Sequence, residues 1–172
     1  MPRHDPLGPM LIAVISDTHL PRGTRALPNE CVRRIAAADL LLHAGDFSTV
    51  AVLHALETIG PPVIGVHGNV DSAELRGLLP TERVVEADSA RIAMLHDAGP
   101  RRGRLARMRE RFGERADALV FGHSHLPLHE RADDGFQIFN PGSPTERRRA
   151  PRHTMGMARV DDDEVSFELI EL

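Results

Sequence analysis

The chain has 172 residues and a mass of 18.9 kDa, which suits one domain with one continuous core. A net charge of -4 and a pI near 6.2 argue against broad binding to nucleic acid or to an acidic membrane surface. All 21 basic residues are arginines, which excludes Schiff-base chemistry and a phosphate-binding lysine loop. Trp and Tyr are absent, so an aromatic platform for single-stranded nucleic acid is not expected.

Cysteine content and the N-terminal residues bear on location. Cys31 is the one cysteine, so no intrachain disulfide can form, and we expect a reducing, cytoplasmic location. Its helical surroundings favour a buried structural thiol over a nucleophile. Residues 1–10 contain three prolines and are expected to form a flexible segment, with residues 11–172 as a single domain. The apolar run at residues 11–15 is too short for a signal peptide or a membrane span.

Short apolar runs alternate with helical spacing in the first half of the chain. Residues 11–15, Leu40–His43 and residues 63–66 have the composition of buried strands. Asn29–Ala37 and residues 49–59 have the spacing of helices. This alternation indicates βαβ units and a largely parallel sheet.

The second half changes character. A capping sequence, Asp71-Ser72-Ala73-Glu74, predicts a short helix that ends before Pro80, and residues 103–112 predict an Arg-rich amphipathic helix. Strands are predicted at residues 83–87, 91–95, 118–121, 126–131, 136–140, 155–160 and 165–170. Hairpin turns are predicted at Asp88-Ser89, Asp133-Asp134-Gly135 and Asp161-Asp162-Asp163. Together the two halves indicate two packed sheets flanked by helices.

Polar side chains that can bind metal follow directly on five of the predicted strands. In chain order they are Asp17 with His19, Asp46, Asn69, His96, and His123 with His125. Because loops converge at the carboxyl edge of an α/β sheet, five separate segments deliver ligands to one edge.

The residue types suit a centre of two metal ions. Aspartate can bridge two cations, imidazole nitrogen suits transition metals, and the Asn carbonyl is a neutral oxygen ligand. Glycines precede Asp46, Asn69 and His123, where they let the backbone turn sharply close to a metal. Two cations roughly 3.5–4 Å apart can hold a phosphate and lower the pKa of a water.

Each motif alone has another interpretation. Asp46 or Ser48 could be a helix N-cap, and Gly68-Asn69-Val70-Asp71 could be a turn that caps the next helix. Gly122-His123-Ser124-His125 is more specific, because alternating histidines at a strand end have little packing role. The order and spacing of the whole set favour the metal centre.

This ordered set, D-x-H, G-D, G-N, an isolated His and G-H-x-H, resembles the calcineurin-like metallophosphoesterase superfamily. The short length, Gly68-Asn69-Val70-Asp71 and Asn140-Pro141-Gly142-Ser143 resemble its small bacterial and archaeal phosphodiesterase branch, the YfcE-like proteins. The resemblance covers nearly the whole chain from residue 11. It implies a four-layer α/β/β/α sandwich with two mixed β-sheets, in agreement with the two packed sheets inferred above.

The resemblance also implies roles for the ligands. One divalent ion would be held by Asp17, His19, Asp46 and His125, and the other by Asp46, Asn69, His96 and His123. Asp46 would bridge the ions, and a metal-bridging hydroxide would attack phosphorus in line with the leaving oxygen, while Asn69 touches a phosphate oxygen. Manganese is the expected metal, with iron, nickel, zinc and magnesium as alternatives.

Departures from the family pattern point to the substrate. Many protein phosphatases of the superfamily carry G-N-H-E, whose His is proposed to protonate the leaving group; here Val70 and Asp71 follow Asn69. This difference favours a diesterase that acts on a good leaving group. His67 is a candidate substitute proton donor, or else a histidine of the core or rim.

Three further residues are expected to support the ligands from behind: His43, Asp71 and Asp97. The usual Gly after the isolated His is replaced by Asp97, which could orient His96 or begin the turn Ala98-Gly99-Pro100. His43 ends a predicted strand next to Gly45.

Two other segments have less specific interpretations. Asn140-Pro141-Gly142-Ser143 is expected to shape the floor of the site without a direct catalytic role. Arg147-Arg148-Arg149 and Arg152 could pair with substrate phosphate or form a solvated loop.

Three functions compete at this stage. The first is a phosphoesterase acting on a small phosphodiester, with some monoesterase activity and no membrane or further nucleic-acid partner. The second is a scaffold like the eukaryotic retromer small subunit, which resembles the family but has lost a ligand histidine; all seven ligand positions are filled here. The third is a sensor with very slow turnover. The family includes dimers and tetramers, so a homo-oligomer is one expectation.

Overall fold

A computed structural model of the chain describes residues 8–172, and most of the expected N-terminal flexible segment lies outside the described residues. Met10 already belongs to the first strand, where it pairs with Val160, so the domain begins one residue earlier than expected. None of the helices in the described part of the chain has the length and apolar character needed to cross a bilayer.

The elements follow the predicted order closely. Within residues 8–172 the helices are α1 (Asn29–Ala37), α2 (Val50–Glu57), α3 (Ala73–Leu78) and α4 (Arg104–Phe112). The strands are β1 (Met10–Ile15), β2 (Leu40–His43), β3 (Val63–Gly65), β4 (Glu82–Ala87), β5 (Ala90–Leu95), β6 (Ala118–Val120), β7 (Leu128–Arg131), β8 (Gln137–Asn140), β9 (Thr154–Asp161) and β10 (Glu164–Glu171).

Local chemistry explains where β7, α3 and α2 begin relative to the bounds and caps predicted from the sequence. Strand β7 begins two residues later than predicted, because Pro127 lacks the N–H that a ladder requires. Helix α3 is capped by Ser72, whose hydroxyl accepts from the backbone N–H of Leu75 at 3.2 Å, while Asp71 serves the neighbouring loops. Thr49 is the N-cap residue of α2, so neither Asp46 nor Ser48 caps that helix.

Two five-stranded sheets form the centre of the domain. The first has the order β10-β9-β1-β2-β3, with β1, β2 and β3 parallel and β9 and β10 antiparallel to their neighbours. The second has the order β4-β5-β6-β8-β7, with parallel pairing of β5, β6 and β8 and an antiparallel strand at each edge. The three predicted hairpins are all present.

Three apolar layers hold these elements together. The central layer lies between the sheets, where Val14, Leu42, Met94 and Phe139 are buried. A second layer packs α1, α2 and α3 on the first sheet, and it includes Cys31, which is buried as predicted. A third packs α4 on the second sheet through Met108 and Phe112. The fold is the expected four-layer α/β/β/α sandwich, and its parallel strands end at one common edge.

A glycine in the central layer tests this packing. A Cβ added at Gly156 would collide with the Phe139 ring, whereas one at Gly77 in α3 would meet nothing within 4 Å. We expect Gly156→Ala to destabilise the protein by about 1–3 kcal/mol through overpacking. Gly77→Ala should stabilise it by about 0.5 kcal/mol. Urea unfolding measures both variants, and a neutral Gly156→Ala would contradict the close contact between the sheets.

Candidate metal centre

The ligand residues adopt a backbone conformation that side chains usually avoid. Five of the seven predicted ligands have positive φ: Asp17 at 56°, His19 at 45°, Asp46 at 60°, His123 at 69° and His125 at 59°. Such conformations cost free energy in non-glycine residues and persist where the surrounding structure holds them. Here the loop after β1 is bonded to the loop after β2, since Asp17 N donates to Gly45 O at 2.9 Å and His19 N to Asp46 O at 3.0 Å.

The glycines before the ligands are required mainly for space. Gly45 has φ 98°, as the predicted sharp turn requires, and a Cβ there would lie 2.7 Å from His96 Nδ1. Gly68 and Gly122 do not have positive φ, so the sharp-turn explanation is wrong for them. Instead a Cβ at Gly68 would collide with the Asp46 carboxylate, and one at Gly122 would collide with the Ser16 hydroxyl.

The first group of ligand atoms comes from Asp17, His19 and His125, all buried. The Nε2 atoms of His19 and His125 face each other at 3.2 Å. Asp17 Oδ1 lies 3.4 Å from His125 Nε2 and 3.8 Å from His19 Nε2. Three ligand atoms therefore converge on one point at the carboxyl ends of β1 and β6.

The second group comes from Asp46, His96 and His123, with Asn69 beside them. Asp46 Oδ2 lies 3.1 Å from His96 Nε2, which is 3.3 Å from His123 Nδ1. Asn69 Oδ1 lies 3.0 Å from that His123 nitrogen and 3.1 Å from His96 Nε2. All seven predicted ligands are therefore brought together in two adjoining groups.

One atom joins the two groups. Asp46 Oδ2 also lies 3.7 Å from His19 Nε2 in the first group, while Asp46 Oδ1 accepts from Val70 N at 3.0 Å. One carboxylate oxygen is therefore held by the backbone and the other faces both groups. A cation in each group would find this oxygen between them, as expected of a bridging carboxylate.

An unpaired buried oxygen shows that cations fit here. Asp17 Oδ1 is buried and has no hydrogen-bond partner in residues 8–172, although Nε2 atoms of three histidines lie within 4 Å. A buried carboxylate oxygen without a partner is costly. Divalent transition-metal ions would satisfy this oxygen and the converging imidazole nitrogens together.

The protonation pattern of the metal-free site follows from burial and from neighbouring charges. Burial raises the pKa of Asp17 to about 7. It lowers the pKa of His19, and it lowers the pKa of His125 to about 4. Burial would also raise the pKa of Asp46, but the hydrogen bond and charge of His96 outweigh it and lower the value to about 2. Burial would lower the pKa of His96, but the hydrogen bond and charge of Asp46 and the charge of Asp17 raise it, so His96 must give up a proton when a metal binds. Neutral imidazoles and ionised carboxylates are the forms that bind metal.

Backbone carbonyls orient two of the ligand histidines. His96 Nδ1 donates to Ala44 O at 2.8 Å, and His125 Nδ1 donates to Glu146 O, so the Nε2 atom of each ring faces the site. Asp97 does not orient His96, so the first of the two roles considered for it from the sequence is wrong. It begins the turn, accepting from Gly99 N at 2.8 Å, and its other oxygen lies 3.9 Å from His123 Nε2.

Asp71 joins the loops that carry Asp46 and Asn69. Its Oδ2 accepts from Asp46 N at 3.1 Å and Gly68 N at 2.7 Å, and its Oδ1 accepts from Ser48 N at 2.8 Å. Three backbone donors therefore depend on one buried carboxylate. Asp71 therefore holds the loops that carry Asp46 and Asn69 together from behind.

His43 supports the ligand loops from the side of the first sheet. It is buried and stacks on Phe47, and burial lowers the pKa of its imidazole to about 3, so the ring is neutral. Gly45 N donates to Nδ1 at 3.1 Å, which leaves Nε2 to donate to Thr18 Oγ1 at 3.0 Å. His43 therefore links the loops after β1 and β2.

Several supporting residues were not predicted individually. The Ser16 hydroxyl donates to Asp17 Oδ2 at 2.7 Å, and Thr145 Oγ1 donates to Thr18 O at 2.6 Å. Within the segment expected to shape the floor, Ser143 Oγ donates to Asp17 O at 2.8 Å and Asn140 Nδ2 to Gly122 O at 2.9 Å. The Asn-Pro-Gly-Ser motif was the sequence signal for the contacts of Ser143 and Asn140.

The remaining predicted residues lie at the rim. His67 is half-buried in a cavity that Asn69 and His96 also line, with its Nδ1 3.3 Å from Gly68 O. In the Arg147–Arg152 segment, Arg148 is exposed and lies 3.7 Å from Glu146, and its charge adds to burial in lowering the pKa of His19.

Comparison with known proteins agrees with this geometry. Residues 10–163 match the family model of the calcineurin-like phosphoesterase superfamily domain. The chain belongs to that superfamily. It is 36% identical over 163 residues to a probable metallophosphoesterase of Methanothermobacter thermautotrophicus, covering 94% of this chain and 92% of the relative. The superfamily and this relative identify the chain as a metal-dependent phosphoesterase of the small archaeal and bacterial branch.

Solved structures show the same fold. A Thermotoga maritima protein is 28% identical with a TM-score of 0.73, covering 95% of this chain and 99% of that chain. Vps29 of Entamoeba histolytica, solved as a complex with zinc, is 22% identical with a TM-score of 0.74, covering 94% and 99%. At that identity the similarity to Vps29 shows the fold alone.

The Asp71 contacts generate a prediction about metal affinity. Asp71→Asn replaces an acceptor oxygen with a donor opposite backbone N–H groups, so the Asp46 and Gly68 loops lose support. We expect metal affinity to fall about 10- to 100-fold, measured by isothermal titration calorimetry with Mn²⁺. Glu74→Gln, an exposed neighbour in α3, is the control and should bind metal like the wild type. Unchanged affinity in Asp71→Asn would contradict this role.

Proposed function

We propose that this phosphoesterase hydrolyses small phosphodiesters and uses two divalent cations, with manganese as the favoured metal. The observation that carries the proposal is the pair of adjoining ligand groups with Asp46 Oδ2 facing both. Bound there, the cations would supply Lewis-acid activation of the phosphate and of an attacking water.

Asn69 supports the proposal through its orientation. Its Oδ1 faces His96 and His123, so its amide Nδ2 is left as a donor on the exposed side of the ligand group. A phosphate oxygen that approaches the two groups would find this donor beside them. The residue would therefore both complete the second group and orient the substrate.

The rim of the site favours a diester over a monoester. Val70 directly follows Asn69 and Leu126 directly follows His125, and both apolar side chains are more than 40% exposed. An apolar side chain next to a ligand suits an ester substituent better than the additional anionic oxygen of a monoester. Val70 also replaces the histidine that the family's protein phosphatases carry, so a leaving group that needs little protonation fits best.

A scaffold function remains the second candidate because of the similarity to Vps29 in fold. The intact ligand set favours catalysis, since a scaffold has no need of seven converging metal ligands.

The proposal predicts metal-dependent cleavage of bis(4-nitrophenyl) phosphate by protein that has been stripped of metal and then supplied with Mn²⁺. The matching monoester, 4-nitrophenyl phosphate, has the same leaving group and should be cleaved at least about tenfold less efficiently, because Val70 offers no donor to its extra oxygen. Asp46→Asn should lower the rate of diester cleavage by about 100-fold or more, because it removes the carboxylate charge that both cations would share.

His54→Ala, an exposed histidine of α2, is the control for the Asp46 variant and should retain wild-type activity. Cleavage of the monoester alone would overturn the diesterase proposal. Absence of any cleavage by protein with two bound metals per chain would favour a scaffold or sensor.

A further inference from the structure

A cavity of about 410 Å³ opens directly beside the second ligand group. Its inner wall is formed by Asn69 and His96, and its outer wall includes Arg76, Thr81 and Arg111. The volume lies in the range of about 300–1,000 Å³ typical of small-molecule sites. A substrate whose phosphate lies at the ligand groups can therefore place one of its substituents here.

The outer wall is rich in hydrogen-bond donors. Arg76 Nη2 donates to Asn69 O at 2.5 Å, and its other N–H groups have no acceptor within residues 8–172. The Thr81 hydroxyl lines the same wall and is exposed. Each guanidinium has five N–H donors, and few of those of Arg76 and Arg111 donate to an acceptor of the protein.

Arg111 is held in place without being neutralised. Its guanidinium donates to Glu82, and Glu82 also accepts from Arg115 at 3.0 Å. Two cations therefore share one carboxylate, and Arg111 is the one of the two that lines the cavity. Asp97 is the other carboxylate of the lining, so two arginines and two carboxylates surround the cavity, and Arg115 supplies a further cation through its contact with Glu82.

We propose that this cavity binds the part of the substrate beyond the scissile phosphate, and that this part carries a second phosphate group held by Arg111 and Arg76. A planar guanidinium suits bidentate binding of phosphate oxygens. A neutral substituent would offer no charged acceptor to the guanidinium N–H groups that the protein leaves unused. The inference rests on the proposed diesterase function and adds the substrate class.

The test compares two diesters with the same scissile bond. One is thymidine 5′-(4-nitrophenyl phosphate), and the other is the same compound with an additional 3′-phosphate. The Mn²⁺-loaded protein should show a kcat/KM at least about tenfold higher for the 3′-phosphorylated diester, mainly through KM, as a charge-assisted hydrogen bond contributes. Calorimetry should show the same preference for thymidine 3′,5′-bisphosphate over thymidine 5′-monophosphate.

Arg115 provides a matched control. Arg111 and Arg115 both bind Glu82 and both lie over the Phe112 ring, with Cζ 5.1 and 4.8 Å from its centroid, but only Arg111 lines the cavity. Arg111→Gln should lower the preference for the 3′-phosphate about tenfold. Arg115→Gln removes an equivalent ion pair with Glu82 and should keep the preference for the 3′-phosphate. A loss of the preference in this variant would show that altered folding, rather than the missing phosphate contact, is the cause.

The outcomes separate this inference from the diesterase proposal. Equal cleavage of the two diesters, with no effect of Arg111→Gln, would overturn the cavity assignment and leave the diesterase intact. If neither diester is cleaved while the bisphosphate binds tightly in an Arg111-dependent manner, the cavity assignment stands and the diesterase proposal fails. Equal binding of both nucleotides would overturn the cavity assignment by itself.

Discussion

The arrangement of the site depends on the contacts of the Asp46 carboxylate. Its Oδ1 accepts from Val70 N, while its Oδ2 faces His19 on one side and His96 on the other. Its backbone N–H is held by Asp71, and Gly68 packs against the carboxylate so closely that no side chain fits there. A small shift of this residue would move both ligand groups at once, which explains why so many backbone contacts converge on it.

Holding the ligands costs conformational free energy that the fold must offset. Positive φ at five ligand residues is unfavourable, yet each loop is fixed by neighbours: Asp71 on one side, His43 on another, and Ser143 behind Asp17. These supports are buried, so they are unaffected by competition with water. The two sheets contribute by ending their parallel strands at one edge, which brings distant segments of sequence into one site.

The sequence predicts the order of the elements, the two-sheet architecture and the convergence of the seven candidate ligand residues, because each depends on local signals. Alternating apolar runs identify the strands, and ligand residues directly after strands identify the edge of the sheet. It does not predict contacts set by tertiary approach: that Ala44 O rather than Asp97 orients His96, or that Gly68 and Gly122 are needed for space. Such contacts join residues from different strands, so no local pattern encodes them. Arg111 is a similar case, since its helical spacing predicts an exposed face and only the packing of α4 places it at the cavity.

The most direct test of a shared-carboxylate centre is a crystal structure of the Mn²⁺-loaded protein with anomalous diffraction data at the manganese edge. We expect two anomalous peaks per chain, one in the Asp17, His19 and His125 group and one in the His96, Asn69 and His123 group, with Asp46 contacting both. A single peak, or two peaks that do not share Asp46, would contradict it.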